Sequence, residues 1–296
     1  MPFTASPNTS WRFAASAGKP DASVDGRWSV VFSKEGSLDS TLAIGEFRQT
    51  GAQVSGTFLT NFGDYRFLSG EMEGNTFSMS AYAGASPILF EGTLQGETIS
   101  GRMYSGPASQ SAWEARKDQK AALEDAYQIA RLKAGAKLAF EFEDTEGNIV
   151  SLADERFQGK VVVIQFVGSW CPNCMDETAF LSPFYKKYQE KGLEVIGLAY
   201  ERYAEPEKAK KAVKNLMDRF DVTYPVLLTG FSNRPGQVLE SLPALESFSA
   251  FPTTIILNKK GEVYSIHSGF DGPATGEAYH RYIASFEDTI NSLLNQ

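Results

Sequence analysis

A chain of 296 residues, 42% hydrophobic and 22% charged, carries apolar material for two packed cores, and its length sets two domains as the first expectation. Its net charge of −8 argues against phosphate backbones and anionic lipid as main partners, because both reward clustered Lys and Arg. No apolar run approaches the roughly 18 residues that a transmembrane segment needs.

Residues 1–20 read as a flexible leader rich in Ser, Ala, Thr and Pro, without the basic-then-apolar layout of a secretory signal. Removal of an export signal or lipid anchor would leave the same kind of start, so a membrane tether and the compartment stay open here. Residues 21–117 then carry short alternating runs such as "RWSVVF", "VSGTFL" and "ILFEGTL", broken by Gly, Asn, Asp and Ser. Period-two alternation with regularly spaced turns predicts about eight antiparallel strands in an all-β barrel or sandwich. A loose echo, "VSGTF", "LSGEM", "FEGTL" and "ISGRM", suggests a meander of similar hairpins. This stretch has no cysteine or histidine, which excludes thiol and imidazole chemistry there. Docking, dimerisation, substrate recruitment or a ligand cavity inside a closed barrel remain.

From Asp118 the texture changes. Ala122, Leu123, Ala126, Ile129 and Leu132 recur at helical spacing before Gly135, which predicts a connecting helix over 118–134. Residues 135–296 alternate strand and helix. "KLAFEFEDTEGNIVSL" reads as a hairpin and "KVVVIQFV" as a central strand covered on both faces. A helix follows to about Lys191, then the buried strand "LEVIGLAY" and a charged helix over 205–220 whose basic run, "KAKKAVKNL", reads as a solvated face. A short strand "TYPVLL", a loop-rich stretch, the hairpin "PTTIILN…GEVYSIHSG" and a closing helix complete an α/β fold on a mixed sheet.

Both cysteines lie in "GSWCPNCMDE", Cys171 and Cys174. A structural disulfide closing so short a loop stabilises by only about 2 kcal/mol. Zinc wants four ligands, and the chain offers only His267 and His280 besides these thiols, so no metal is expected. A redox couple fits the setting. The chain leaves a buried strand and opens a helix at Cys171, where unpaired N–H groups and the dipole favour a thiolate. Pro172 is tolerated in the first helical turn, and Cys174 lies one turn along the same face. Cys171 would attack a substrate disulfide and Cys174 would resolve the mixed disulfide. Glu177 stands three residues after Cys174 and is read equally well as a proton acceptor or as an exposed helix acid. The proline of "FPTT" (Phe251–Thr254) reads as the start of a strand.

Together, "KVVVIQFVGSWCPNC…E", "LEVIGLAYE", "FPTTIILNKKGEVYSIHSGFDGPATG" and the closing helix resemble the TlpA/ResA-like (AhpC/TSA-like) thiol-disulfide oxidoreductases of thioredoxin fold, over about residues 135–296. The β-domain resembles no family identified here. The resemblance implies that Pro252 is a cis-proline facing the disulfide, that Trp170, Pro172, Phe251 and Pro252 surround the substrate, and that Glu177 is the active-site carboxylate. It also implies an extracytoplasmic enzyme, in the periplasm or cell envelope, that reduces protein disulfides and is recharged by a membrane electron donor. The redox-active disulfide would be its only redox group, with no separate cofactor. A disulfide isomerase is the nearest rival, and a binding module with the redox half as scaffold is the rival from another class. Three departures stand out: proline directly after the first cysteine, Gln165 where thioredoxin has a buried aspartate, and Pro183 nine residues after Cys174 rather than five.

Overall fold

The computed structural model describes residues 13, 19–34, 39–83, 86–106 and 109–296. Most of the leader expected at 1–20 therefore lies outside the described residues. Contacts divide the chain into two compact units, one reaching Leu123 without Asn61–Gly63 and the other made of Asn61–Gly63 and the chain from Glu124 on.

The first unit is a closed antiparallel barrel. Its strands are β1 (Gly26–Lys34), β2 (Ser40–Thr50), β3 (Gln53–Thr60), the two-residue β4 (Gly63–Asp64), β5 (Leu68–Glu73), β6 (Thr76–Ala83), β7 (Ser86–Gln95), β8 (Thr98–Ser105) and β9 (Ser109–Lys117). The eight long strands pair in chain order, and β9 returns to pair with β1, closing the ring. Alternation drives the arrangement: Trp28, Val30 and Phe32 of β1 point inward while Ser29 and Ser33 between and beyond them do not. Aromatic rings fill the interior, with Phe58 at 4.4 Å from Phe90, 5.2 Å from Phe47 and 5.3 Å from Trp113. These side chains pack into one hydrophobic core inside the barrel. The sequence echo also gains a cause. Gly92 and Gly101 lie opposite one another, and a Cβ on either would collide with Phe77 or Trp113.

The second unit has β10 (Arg131–Leu132), β11 (Glu141–Asp144), β12 (Ile149–Ser151), β13 (Val161–Val167), α1 (Pro172–Tyr188), β14 (Leu193–Ala199), α2 (Pro206–Phe220), β15 (Val226–Leu228), α3 (Pro235–Ser241), β16 (Leu245–Ser247), β17 (Thr253–Leu257), β18 (Val263–Ser268) and α4 (Glu277–Leu294). Seven strands form one mixed sheet in the order β12-β11-β15-β14-β13-β17-β18, parallel from β13 to β15 and antiparallel at β17. Val161, Val163 and Val167 of β13 pack with residues of α1, α2 and α4, while Val162, Ile164 and Phe166 face the cluster holding Val238 of α3. Every residue of β13 is buried, Gln165 included, as its nearly continuous apolar run predicts. The unit is thioredoxin-like, in agreement with the resemblance. Among the described residues no helix is long and apolar enough to cross a membrane.

The connecting helix expected at 118–134 does not form; the segment is turns and irregular chain, with β10 near its end. Asp118 and Asp125 accept from the backbone N–H groups of Lys120 and Tyr127, local turns that compete with helix. The carbonyls of Ala126 and Ile129 accept from the backbone of Ser268 and the hydroxyl of Ser247. Periodic apolar residues lose to these longer-range bonds. The stretch read as loop-rich before "PTTIILN" holds α3 and β16.

Candidate active site

Strand β13 runs buried through the centre of the sheet and releases the chain at Gly168, at the carboxyl end of the parallel strands where α/β sheets place their sites. A Cβ at Gly168 would collide with the Trp170 indole, which folds back across the loop. The indole Nε1–H donates to the Tyr200 carbonyl at 2.9 Å, the Arg202 guanidinium lies 3.9 Å over the ring, and Phe251 meets its edge at 5.5 Å.

Cys171 is the N-cap of α1 and Pro172 its first helical residue. The two sulfurs are joined in a disulfide with the Cα atoms 5.2 Å apart. The backbone N–H of Cys174 points at Cys171 Sγ at 3.2 Å, so the helix terminus offers a donor to the sulfur that would carry the thiolate. Cys174 is fully buried and Cys171 is 4% exposed, which leaves Cys171 as the sulfur a substrate can reach. Helix α1 continues through Pro183. The carbonyl of Ala179, which loses its helical partner there, sits at an exposed position.

The structure excludes one of the two readings that the spacing of Glu177 allowed. Glu177 is buried rather than an exposed helix acid. The Thr254 hydroxyl bonds Oε1 at 2.6 Å and the Gln165 amide donates to Oε2 at 2.8 Å. Gln165 also donates to Thr178 Oγ1 at 3.2 Å, and Thr178 donates to the Cys174 carbonyl at 2.7 Å, tying the carboxyl group to the buried cysteine's turn. Burial outweighs these bonds and pushes the Glu177 carboxyl up to about 7. The Gln165 that replaces an aspartate thus serves as a holder of the titrating group.

The Phe251–Pro252 bond is cis. Two residues on, Thr254 reaches Glu177, and Phe251 reaches Trp170, so the proline loop and the cysteine loop share one neighbourhood. Gly269 N–H donates to the Pro252 carbonyl at 2.8 Å, and the His267 ring in turn bonds the Gly269 carbonyl through Nδ1 at 3.1 Å. Burial pushes His267 down to about 4, so near pH 7 it is neutral and donates from Nδ1. His267 therefore pins the proline loop. Among the described residues no group of three or more His, Cys, Asp or Glu could hold a metal ion.

Sequence reasoning missed Thr254, His267 and Glu201. Glu201 carried a readable signal, as an acid placed directly after the apolar run Val195–Tyr200. Beside the loop lies a cleft of about 520 Å³ lined by Glu201, Arg202, Tyr203, Lys210 and Phe231 among others.

The carboxyl's position makes a stability prediction. Unfolded, Glu177 ionises near 4.5; folded, near 7. The fold favours the protonated form, so this contribution is present below about pH 4.5 and is lost as pH rises through about 7, an effect of about 3 kcal/mol. Oxidised Glu177→Gln is expected to match the wild type near pH 4 and to exceed its stability at pH 8 by up to that amount in urea unfolding. Parallel pH dependence of the two proteins would rule this out.

Comparison with known proteins gives a consistent setting. The Redoxin family model matches residues 133–280, half of the chain. The chain is 29% identical over 144 residues to the thiol-disulfide oxidoreductase ResA of Bacillus thuringiensis subsp. konkukian, covering 49% of this chain and 72% of that protein. It is 31% identical over 130 residues to ResA of Bacillus subtilis, covering 44% of this chain and 64% of the relative. Among solved structures, a thiol:disulfide interchange protein of Chlorobium tepidum aligns at a TM-score of 0.41 with 20% identity, over 56% of this chain and 98% of that one.

Proposed function

We propose that this chain, which belongs to the Redoxin family through residues 133–280, is a thiol-disulfide oxidoreductase working as a reductase of protein disulfides outside the cytoplasm. The observation that carries the reading is the Cys171–Cys174 pair at a helix N-terminus with the buried Glu177 tied into the turn of its inner sulfur.

In the reduced protein the Cys171 thiolate attacks one sulfur of a substrate disulfide. A Cys171–substrate disulfide forms, the substrate's own S–S bond breaks, and the first substrate sulfur leaves as a thiolate. Glu177 then takes the proton of the Cys174 thiol. The Cys174 thiolate attacks Cys171 Sγ, forms the intramolecular disulfide and releases the second substrate sulfur. Two electrons pass to the substrate, and the proton held by Glu177 goes to a departing thiolate. A carboxyl group titrating near 7 suits both halves of that transfer. The cis-Pro252 loop, with Phe251 and Trp170, supplies the surface against which the substrate chain would lie.

The extracytoplasmic setting agrees with the disulfide chemistry. A reductase working there needs an electron donor, and a membrane dithiol protein is the class of partner that would restore the pair. The direction of flow is tested by equilibrating the protein with dithiothreitol or glutathione redox buffers. The pair is expected at the reducing end of the thioredoxin-fold range, near about −270 mV, rather than near the strongly oxidising limit of about −120 mV. A value above about −180 mV would reverse the assigned direction.

A further inference from the structure

We propose that Glu201 is a positioning residue for this dithiol, clamping the loop that presents Cys171 and setting the acidity of its thiol. The inference deepens the redox reading and rests on Cys171 being the attacking sulfur. Three consecutive residues after β14 hold the two residues that precede Cys171. The Tyr200 carbonyl accepts from the Trp170 indole and Arg202 covers the ring, as described above. Between them Glu201, 5% exposed, accepts from Ser169 twice, the backbone N–H on Oε1 and the hydroxyl on Oε2, each at 2.7 Å.

A carboxylate is costly to bury unless its oxygens are bonded, and here both principal donors come from one residue. That two-point grip fixes the Ser169 peptide and with it the direction in which the chain enters the N-cap. The grip also fixes a negative charge on Ser169, two residues before the cysteine whose sulfur becomes negative when reduced. The other charged groups of the neighbourhood are Arg202, which offsets part of the Glu201 charge, Lys210, Glu207 and Glu143, which line the same cleft, and Glu177 at the Cys174 side. Burial raises the Glu201 carboxyl and the Ser169 bonds and Arg202 lower it. Like charge disfavours the Cys171 thiolate and holds the thiol nearer ambient pH, where an attacking sulfur keeps its nucleophilicity. A less stabilised thiolate makes the pair more reducing.

Glu201→Gln keeps the shape and removes the charge. In the reduced variant the Cys171 thiolate fraction at pH 7, followed by absorbance near 240 nm, is expected to rise about threefold. The equilibrium constant with glutathione should shift about threefold toward the oxidising side, or about 14 mV. Glu201→Asp, which keeps the charge, should restore the wild-type thiol acidity. A Glu201→Gln protein that is merely less stable, with thiol titration and redox equilibrium unchanged, would overturn the proposal. Should that variant fail to fold, the Glu201 carboxyl carbon in the reduced wild type decides by NMR: it must move at the pH where Cys171 titrates, and a flat response overturns the proposal equally. None of these readings needs a protein substrate. A wild type unable to reduce protein disulfides would sink the proposed function while leaving the clamp result readable.

Discussion

Cys174→Ser is expected to accumulate covalent mixed disulfides with its substrates through Cys171, whereas Cys171→Ser accumulates none, and turnover of a protein disulfide falls at least about 10³-fold in both. The asymmetry follows from placement. Cys171 caps α1 and retains some exposure, with the Cys174 N–H directed at its sulfur; Cys174 lies wholly inside. Only the outer sulfur can meet a polypeptide disulfide, and only the inner one can release it. Mass spectrometry of non-reduced trapped species reads the result. Equal trapping by the two variants would show that the sulfurs are interchangeable and would remove the attack-and-resolve order.

Glu177→Gln is expected to slow resolution of the mixed disulfide by about 10²-fold while leaving the first attack by Cys171 nearly unchanged. The group concerned is buried, titrates near 7 and is tied through Gln165 and Thr178 to the Cys174 turn. The wild-type resolution rate should therefore show an inflection near pH 7 that the variant lacks, because glutamine can neither take nor return a proton. Stopped-flow measurement of product release between pH 5 and 9 separates the two steps. An inflection of unchanged position in the variant would assign it to a thiol and withdraw the acid–base role.

Local pattern was enough for much of the molecule. Alternation in "RWSVVF" marked inward Trp28, Val30 and Phe32, and the apolar run from Val161 marked the buried strand that ends at the cysteines. Two thiols two residues apart, a proline at the first helical position and a strand-to-helix junction are all short-range features. What stayed unread depends on partners far along the chain. Thr254 meets Glu177 across 77 positions and Glu201 meets Ser169 across 32. The 118–134 segment was misread for the same reason. Its apolar spacing is helical, yet its carbonyls bond to Ser247 and Ser268, and no window centred on Ala122 or Ile129 contains those serines. Spacing reports what a segment favours alone; the sheet decides which of its backbone groups are free to follow.

The return of β9 to β1 bears on how the N-terminal unit can meet another protein. In an open sheet the outermost strand keeps a row of unused N–H and C=O groups, and an extended peptide can be recruited by adding itself there. Among the described residues β1 is bonded to both β2 and β9, so no such row is left along that strand. Recognition by this unit must rely on side chains and turns, which discriminate by chemistry and shape, and not on backbone pairing, which accepts nearly any extended chain. A partner of the barrel is thus expected to be a folded surface rather than a loose strand.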